Sequence, residues 1–133
     1  FWGSFDLAAT RFSGRVAPRH PGGAPNCPNY VMVEAYSHEC SSCGFWPGNA
    51  EFEPVFYSYA YPEPEAFRTK ACGPSAARYD PTLREFILPY EAVRSSESPD
   101  ETLLEFLPPS CEAAPLAAAW DRTAPERPST DWH

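Results

Sequence analysis

Val55-Phe56-Tyr57-Ser58-Tyr59-Ala60-Tyr61 is the stretch on which the fold class turns, because Val55, Tyr57, Tyr59 and Tyr61 alternate with Phe56, Ser58 and Ala60. A two-residue alternation built from β-branched and aromatic side chains is the pattern of a strand whose two sides meet different surroundings. Pro62-Glu63-Pro64-Glu65 stops it, since proline offers no amide hydrogen to a neighbouring strand. Further on, Glu85 to Val93 (E-F-I-L-P-Y-E-A-V) reads as a second strand. Phe86, Leu88 and Tyr90 would line one side, with Pro89 marking an edge or a bulge.

On the other side, Trp46-Pro47-Gly48-Asn49 has the composition of a turn. Phe5 to Phe12 alternates as a strand, with Phe5, Leu7 and Ala9 on one face and Asp6, Ala8 and Thr10 on the other, until Ser13-Gly14 ends it. Residues 17 to 29 hold four prolines and two glycines and read as a loop, His20-Pro21-Gly22-Gly23 being a surface turn within it. Tyr30 to Cys40 is open between two readings: Val31, Met32 and Val33 favour a strand, whereas Glu34 to Glu39 would start a helix. Glu34 and His38 share a face under either periodicity.

Ser98-Pro99-Asp100-Glu101 has the residues of a helix start: a serine cap, proline at the first helical position and a glutamate three after the cap. Leu103, Leu104 and Leu107 would form its buried stripe. Pro108 and Pro109 are expected to break it after about two turns, and Glu112 to Trp120 to form a second short helix. The architecture expected is α+β: an antiparallel β-sheet of about four to six strands with one or two C-terminal helices, in a single domain over residues 1–120 followed by a disordered tail over 121–133.

A chain of 133 residues with 43% hydrophobic and 15% aromatic content is folded and not disordered. The net charge of −8 opposes a grip on phosphate backbones, so nucleic acid is not an expected partner. No apolar run approaches the roughly 18 residues of a membrane span and no secretory leader is visible, which reads as a cytoplasmic protein with no membrane partner. The chain opens at Phe1 rather than at a methionine, so it reads as part of a longer one. Five cysteines at irregular spacing suit a reducing compartment better than a disulfide framework.

Four ordered blocks, F-W-G-S-F-D-L-A-A-T-R-F-S-G-R, A-Y-S-H-E-C-S-S-C-G-F-W-P-G, F-Y-S-Y-A-Y-P-E-P and I-L-P-Y-E-A-V-R, together resemble one bacterial family, the domain-of-unknown-function 5996 family. The resemblance runs from Phe1 to about Trp120 and is similar to the C-terminal half of the family's longer chains. It implies no activity, cofactor or catalytic residue. The sequence departs from the family pattern at Cys40 and Cys43, where aliphatic or small residues are common, and at Pro108 and Pro109, where the family's final helix continues.

Glu34 to Gly48 is the window richest in groups that do chemistry. His38, Cys40 and Cys43 are three soft ligands, yet no fourth is apparent and the metalloprotease H-E-x-x-H pattern fails at Ser42, so neither metal nor cofactor is expected. A redox role for Cys40 and Cys43 would need a helix N-terminus where the sequence offers a turn. His38 with Glu34 or Glu39 would make a general base and its orienting carboxylate. Tyr36, Trp46, Tyr57, Tyr59 and Tyr61 would line a ligand pocket on the same sheet face, giving a small-molecule-binding or catalytic function. The alternative is a noncatalytic half that forms an interface with a preceding N-terminal segment or another subunit.

Overall fold

The structure, a computed structural model, describes residues 5–24, 27–70 and 72–120. Five antiparallel strands form one sheet in the order β1-β2-β3-β5-β4, with β1 at Leu7–Val16, β2 at His38–Trp46, β3 at Val55–Tyr61, β4 at Arg78–Asp80 and β5 at Glu85–Pro89. Among the described residues three α-helices accompany it, α1 at Asn29–Ala35, α2 at Tyr90–Arg94 and α3 at Pro99–Ala117, with a short 3-10 turn at Phe67–Thr69. The expected α+β architecture is the one observed. The tail expected over 121–133 lies outside the described residues.

β3 is central, with β2 on one side and β5 on the other, and its register sorts the sheet into two faces. Opposed residues share a face, so Phe56, Ser58 and Ala60 look the same way as Phe45, Cys43 and Ser41, and as Leu88 and Phe86. This face carries α3, and Phe67, Phe86, Leu88, Phe106 and Ala114 form the main core between them. Val55, Tyr57, Tyr59 and Tyr61 turn to the opposite face, as their alternation predicts.

Three local expectations are corrected. The first strand does not stop at Ser13-Gly14. Gly14 takes a left-handed φ of +81° and the register shifts between Phe12 and Val16, so β1 absorbs the turn residue as a bulge and continues to Val16. The strand expected over Glu85–Val93 ends at Pro89, where the chain enters α2, held by the Tyr90 amide donating to the Pro54 carbonyl at 3.0 Å and by the Glu91–Arg94 ion pair. Tyr90 still meets the rings of Phe45 and Phe56, at 5.6 and 6.1 Å.

The third correction concerns α3, a single helix of 19 residues that runs through Pro108, Pro109 and Pro115. Each proline removes the amide that would bond the carbonyl four residues back. Pro108 and Pro109 are exposed, as are Leu104 and Glu105, whose carbonyls lose their helical partners, the Glu105 carbonyl lying against Gly73. Pro115 is buried, and the carbonyl it releases, that of Cys111, accepts a hydrogen bond from the Ser41 hydroxyl on β2 at 3.3 Å. Continuing the helix also rotates the buried stripe onto Leu103, Phe106, Ser110, Ala113 and Ala114, which leaves Leu104 64% exposed. Ser98 and Pro99 open α3 as expected, although no side-chain hydrogen bond caps it.

Tyr30 to Cys40 reverses the two readings: Val31, Met32 and Val33, which favoured a strand, lie in the helix α1, and His38 and Glu39, in the stretch read as a helix start, open the strand β2. Among the described residues no helix is long and apolar enough to cross a membrane.

Candidate functional site

The face opposite α3 is walled by tyrosines. Trp46 from β2, Tyr57 and Tyr59 from β3, Tyr36 from the end of α1, Asp6 ahead of β1 and Glu85 at the start of β5 line a cavity of about 370 Å³. A second cavity of about 380 Å³ shares Tyr36, Tyr59 and Glu85 and is extended by His20, Tyr61, Glu63 and Arg84. Each of these side chains is placed by a local feature. The two-residue repeat of β3 aligns the tyrosines, and the chain leaving α1 brings Tyr36 over them. The β4–β5 turn aims Glu85: the Asp80 carboxylate accepts from the amides of Thr82 and Leu83, and Arg84 takes a left-handed φ of +59° immediately before the strand.

Hydrogen bonds tie the phenols to one another and to an acid. Tyr57 Oη donates to Asp6 Oδ1 at 2.7 Å, and Tyr36 Oη donates to Tyr59 Oη at 3.2 Å. Beneath them Thr10 and buried Ser42 share a hydroxyl contact of 2.9 Å. The Tyr57 and Tyr59 rings stack at 6.0 Å, and Tyr36 meets Tyr59 edge-on at 6.2 Å, so the rings form a corner and not a flat layer. The 17–24 loop closes over one end: Tyr61 Oη donates to the Pro18 carbonyl at 2.7 Å, and the His20 ring stacks on Tyr36 at 4.7 Å.

Burial dominates the electrostatics. It raises Tyr57, Tyr59 and Tyr36 above the ordinary phenol range; the hydrogen bond to Asp6 adds to the shift of Tyr57 and the charge of Tyr36 to that of Tyr59, so all three phenols stay protonated donors at neutral pH. Burial also lifts Glu85 to about 7, with Asp80 and Asp6 contributing in that order. No hydrogen bond or ion pair engages the Glu85 side chain among the described residues. A half-buried carboxyl that exchanges its proton near neutral pH, beside protonated phenols, is equipped to bind a polar group or to move a proton.

The structure brings together five of the residues expected at the site, Tyr36, Trp46, Tyr57, Tyr59 and Tyr61, and leaves three outside the cavity. Glu34 is exposed on α1 and His38 is exposed at the start of β2, its Nδ1 3.1 Å from the Ser37 hydroxyl. The helix-to-strand boundary falls between them, so neither periodicity carries from Glu34 to His38, and no hydrogen bond joins the two. Glu39 looks to the α3 side, where it accepts from Arg15 at 2.8 Å and from Ser13 at 2.9 Å. Phe56 and Tyr90 also belong to that other face.

Sequence reasoning missed Glu85, Asp6 and His20 as parts of this cavity. The alternation of 5–12 does place Asp6 with Ala8 and Thr10, but not against Tyr57, which lies 51 positions away. Glu85 carries no local sign, since it opens an apolar strand like any boundary acid. His20 sits in a loop whose glycines conceal that it folds back onto rings.

The cysteines are corrected too. Cys43 and Cys111 form a disulfide, which takes two of the five away from the expected set of ordinary thiols and removes the compartment argument drawn from their odd number. Cys40 and Cys43 lie three apart on a strand and therefore face opposite sides, Cys40 buried on the tyrosine side and Cys43 bonded to α3. Burial raises the Cys40 thiol to about 11, so it stays protonated. Among the described residues no cluster of three or more histidines, cysteines or acids has the arrangement to hold a metal ion.

Residues 1–127 match the model of a family of unknown function, DUF5996. No curated protein and no solved structure matches the chain.

Proposed function

This chain belongs to DUF5996, a family of unknown function, and we propose from the geometry of its own residues that the tyrosine-walled cavity is a small-molecule site. The observation that carries this reading is the meeting, in one concavity, of three protonated phenols with a half-buried Glu85 carboxyl that no hydrogen bond or ion pair engages among the described residues. A ligand would satisfy Glu85 while its flat or apolar part packs on Tyr36, Tyr57 and Tyr59. Glu85 takes the proton-exchanging role that the sequence suggested for His38 with Glu34 or Glu39.

The test is a screen of small polar and aromatic molecules against the protein with its tyrosine rings isotopically labelled for NMR. The expected result is that a subset shifts Tyr36, Tyr57 and Tyr59 together, and that Glu85→Gln weakens those shifts by about tenfold, the effect of losing one charge-assisted hydrogen bond. Hits that scatter over the surface, or none at these rings, would overturn the reading.

A second reading is favoured by one observation. β1 is an edge strand whose Leu7, Phe12 and Val16 are 67, 50 and 77% exposed. That is the property of a surface which pairs with a further strand, from a second copy or from a chain segment preceding Phe1. The two readings concern different parts of the sheet and do not exclude one another.

A further inference from the structure

The inference concerns the class of ligand, and it rests on the small-molecule reading above. The end of the cavity bounded by Asp6, Trp46, Tyr57 and Glu85 has two carboxyl groups and no lysine, arginine or histidine among its described lining residues. Arg84, which precedes Glu85 in the chain, lines the second cavity and is paired with Glu63 at 3.5 Å. The aromatic faces that complete this end stand at a corner, Tyr36 inclined by 62° to Tyr59 while Tyr57 and Tyr59 run nearly parallel at 19°. Ring faces carry partial negative charge, and rings set around a corner with an acid nearby are the arrangement that attracts an organic cation.

An anion fails here on charge. A neutral sugar would be expected to meet a fuller set of paired donors and acceptors than this end offers, because Asp6 is already taken by Tyr57. We propose that the Asp6–Trp46 end of the cavity binds a small organic cation, an alkylated or primary ammonium group, with the Tyr36, Tyr57 and Tyr59 rings against its carbon shell and Glu85 as its counter-ion. The influence of Asp80 and Asp6 on Glu85 agrees with this, for it reports a negative potential that an ammonium group would relieve.

The test compares probes of one shape and different charge. Choline, n-butylammonium and 3,3-dimethylbutan-1-ol, the uncharged counterpart of choline, are titrated into the 133-residue chain and followed by the tyrosine ring resonances. A cation is expected to bind at least about tenfold more tightly than the uncharged alcohol. Glu85→Gln should abolish that preference, and Asp6→Asn should reduce it. Both variants are checked for folding by the resonances of the α3-side core, and either one that keeps them serves alone.

Equal binding of choline and its uncharged counterpart would overturn the cation proposal and leave the small-molecule reading standing. So would failure of both cations while molecules from the broader screen still shift Tyr36, Tyr57 and Tyr59. Silence of these rings toward every probe would remove both.

Discussion

Burial and the charges of Asp80 and Asp6 act on the Glu85 carboxyl in the same direction, and that has a measurable effect on stability. Its folded value of about 7 lies above the ordinary 4.5, burial being the leading cause. The folded state therefore binds this proton more tightly than the unfolded chain does. The associated stabilisation is complete below the unfolded value and is lost as pH rises through about 7. Glu85→Gln removes the titrating group, so urea unfolding should show wild type losing about 1–3 kcal/mol more than the variant between pH 5 and pH 8. Parallel pH profiles for the two proteins would show that Glu85 is not held in its neutral form. At this scale the tyrosines were legible, because a strand's own repeat sets their direction. Glu85 was not, because its burial comes from α1 and from strands far away in sequence.

At the scale of elements, α3 shows why local rules failed in one place and held in another. The proline at position 99 sits where a helix starts, as its missing amide predicts. The three inner prolines do not break the helix: two stand on its exposed side, and the buried third releases a carbonyl that Ser41 satisfies. The disulfide adds a covalent tie between β2 and α3 across a sequence separation of 68. A cross-link closing a loop of that length restricts the unfolded chain by about 4 kcal/mol in the chain-entropy account, and measured values are commonly lower. Removing it, with dithiothreitol or as the Cys43→Ala, Cys111→Ala pair, should lower unfolding free energy by about 2–4 kcal/mol. Unchanged denaturation curves with and without reductant would mean that the bond does not constrain the chain. Gly44 belongs at this scale as well: a Cβ there would collide with the Leu7 carbonyl, so glycine lets β1 and β2 approach.

The whole molecule is asymmetric. One sheet face carries α3 and a core containing Phe67, Phe86 and Phe106, with a cavity of about 430 Å³ left where Glu39 and Ala60 meet the end of α3, whereas the other is partly covered by Tyr36 and the 17–24 loop and keeps the two tyrosine-lined cavities. β1, at the edge, is exposed along nearly all its length. If that edge pairs with a second copy, sedimentation equilibrium should show concentration-dependent dimerisation that Phe12→Lys with Val16→Lys weakens by at least about tenfold. A monomer at every concentration would sink self-pairing. The charge pattern points the same way as the cavity chemistry, since a net charge of −8 repels anions at long range and favours encounter with cations.

What this sequence determined by itself is what short repeats and local chemistry can carry. The period of 55–61 fixed the central strand and the common face of its tyrosines, and Ser98-Pro99 fixed where the last helix begins. Composition settled that the chain folds at all. The tertiary structure decided whatever depends on a partner distant along the chain. It joined Cys43 to Cys111, carried the helix through its prolines, turned Glu39 away from the tyrosines and set Asp6 and Glu85 beside them. The reason is physical: a periodicity fixes only the direction of a side chain within its own element, while burial, pairing and the protonation of a carboxyl are properties of the space that several elements enclose together.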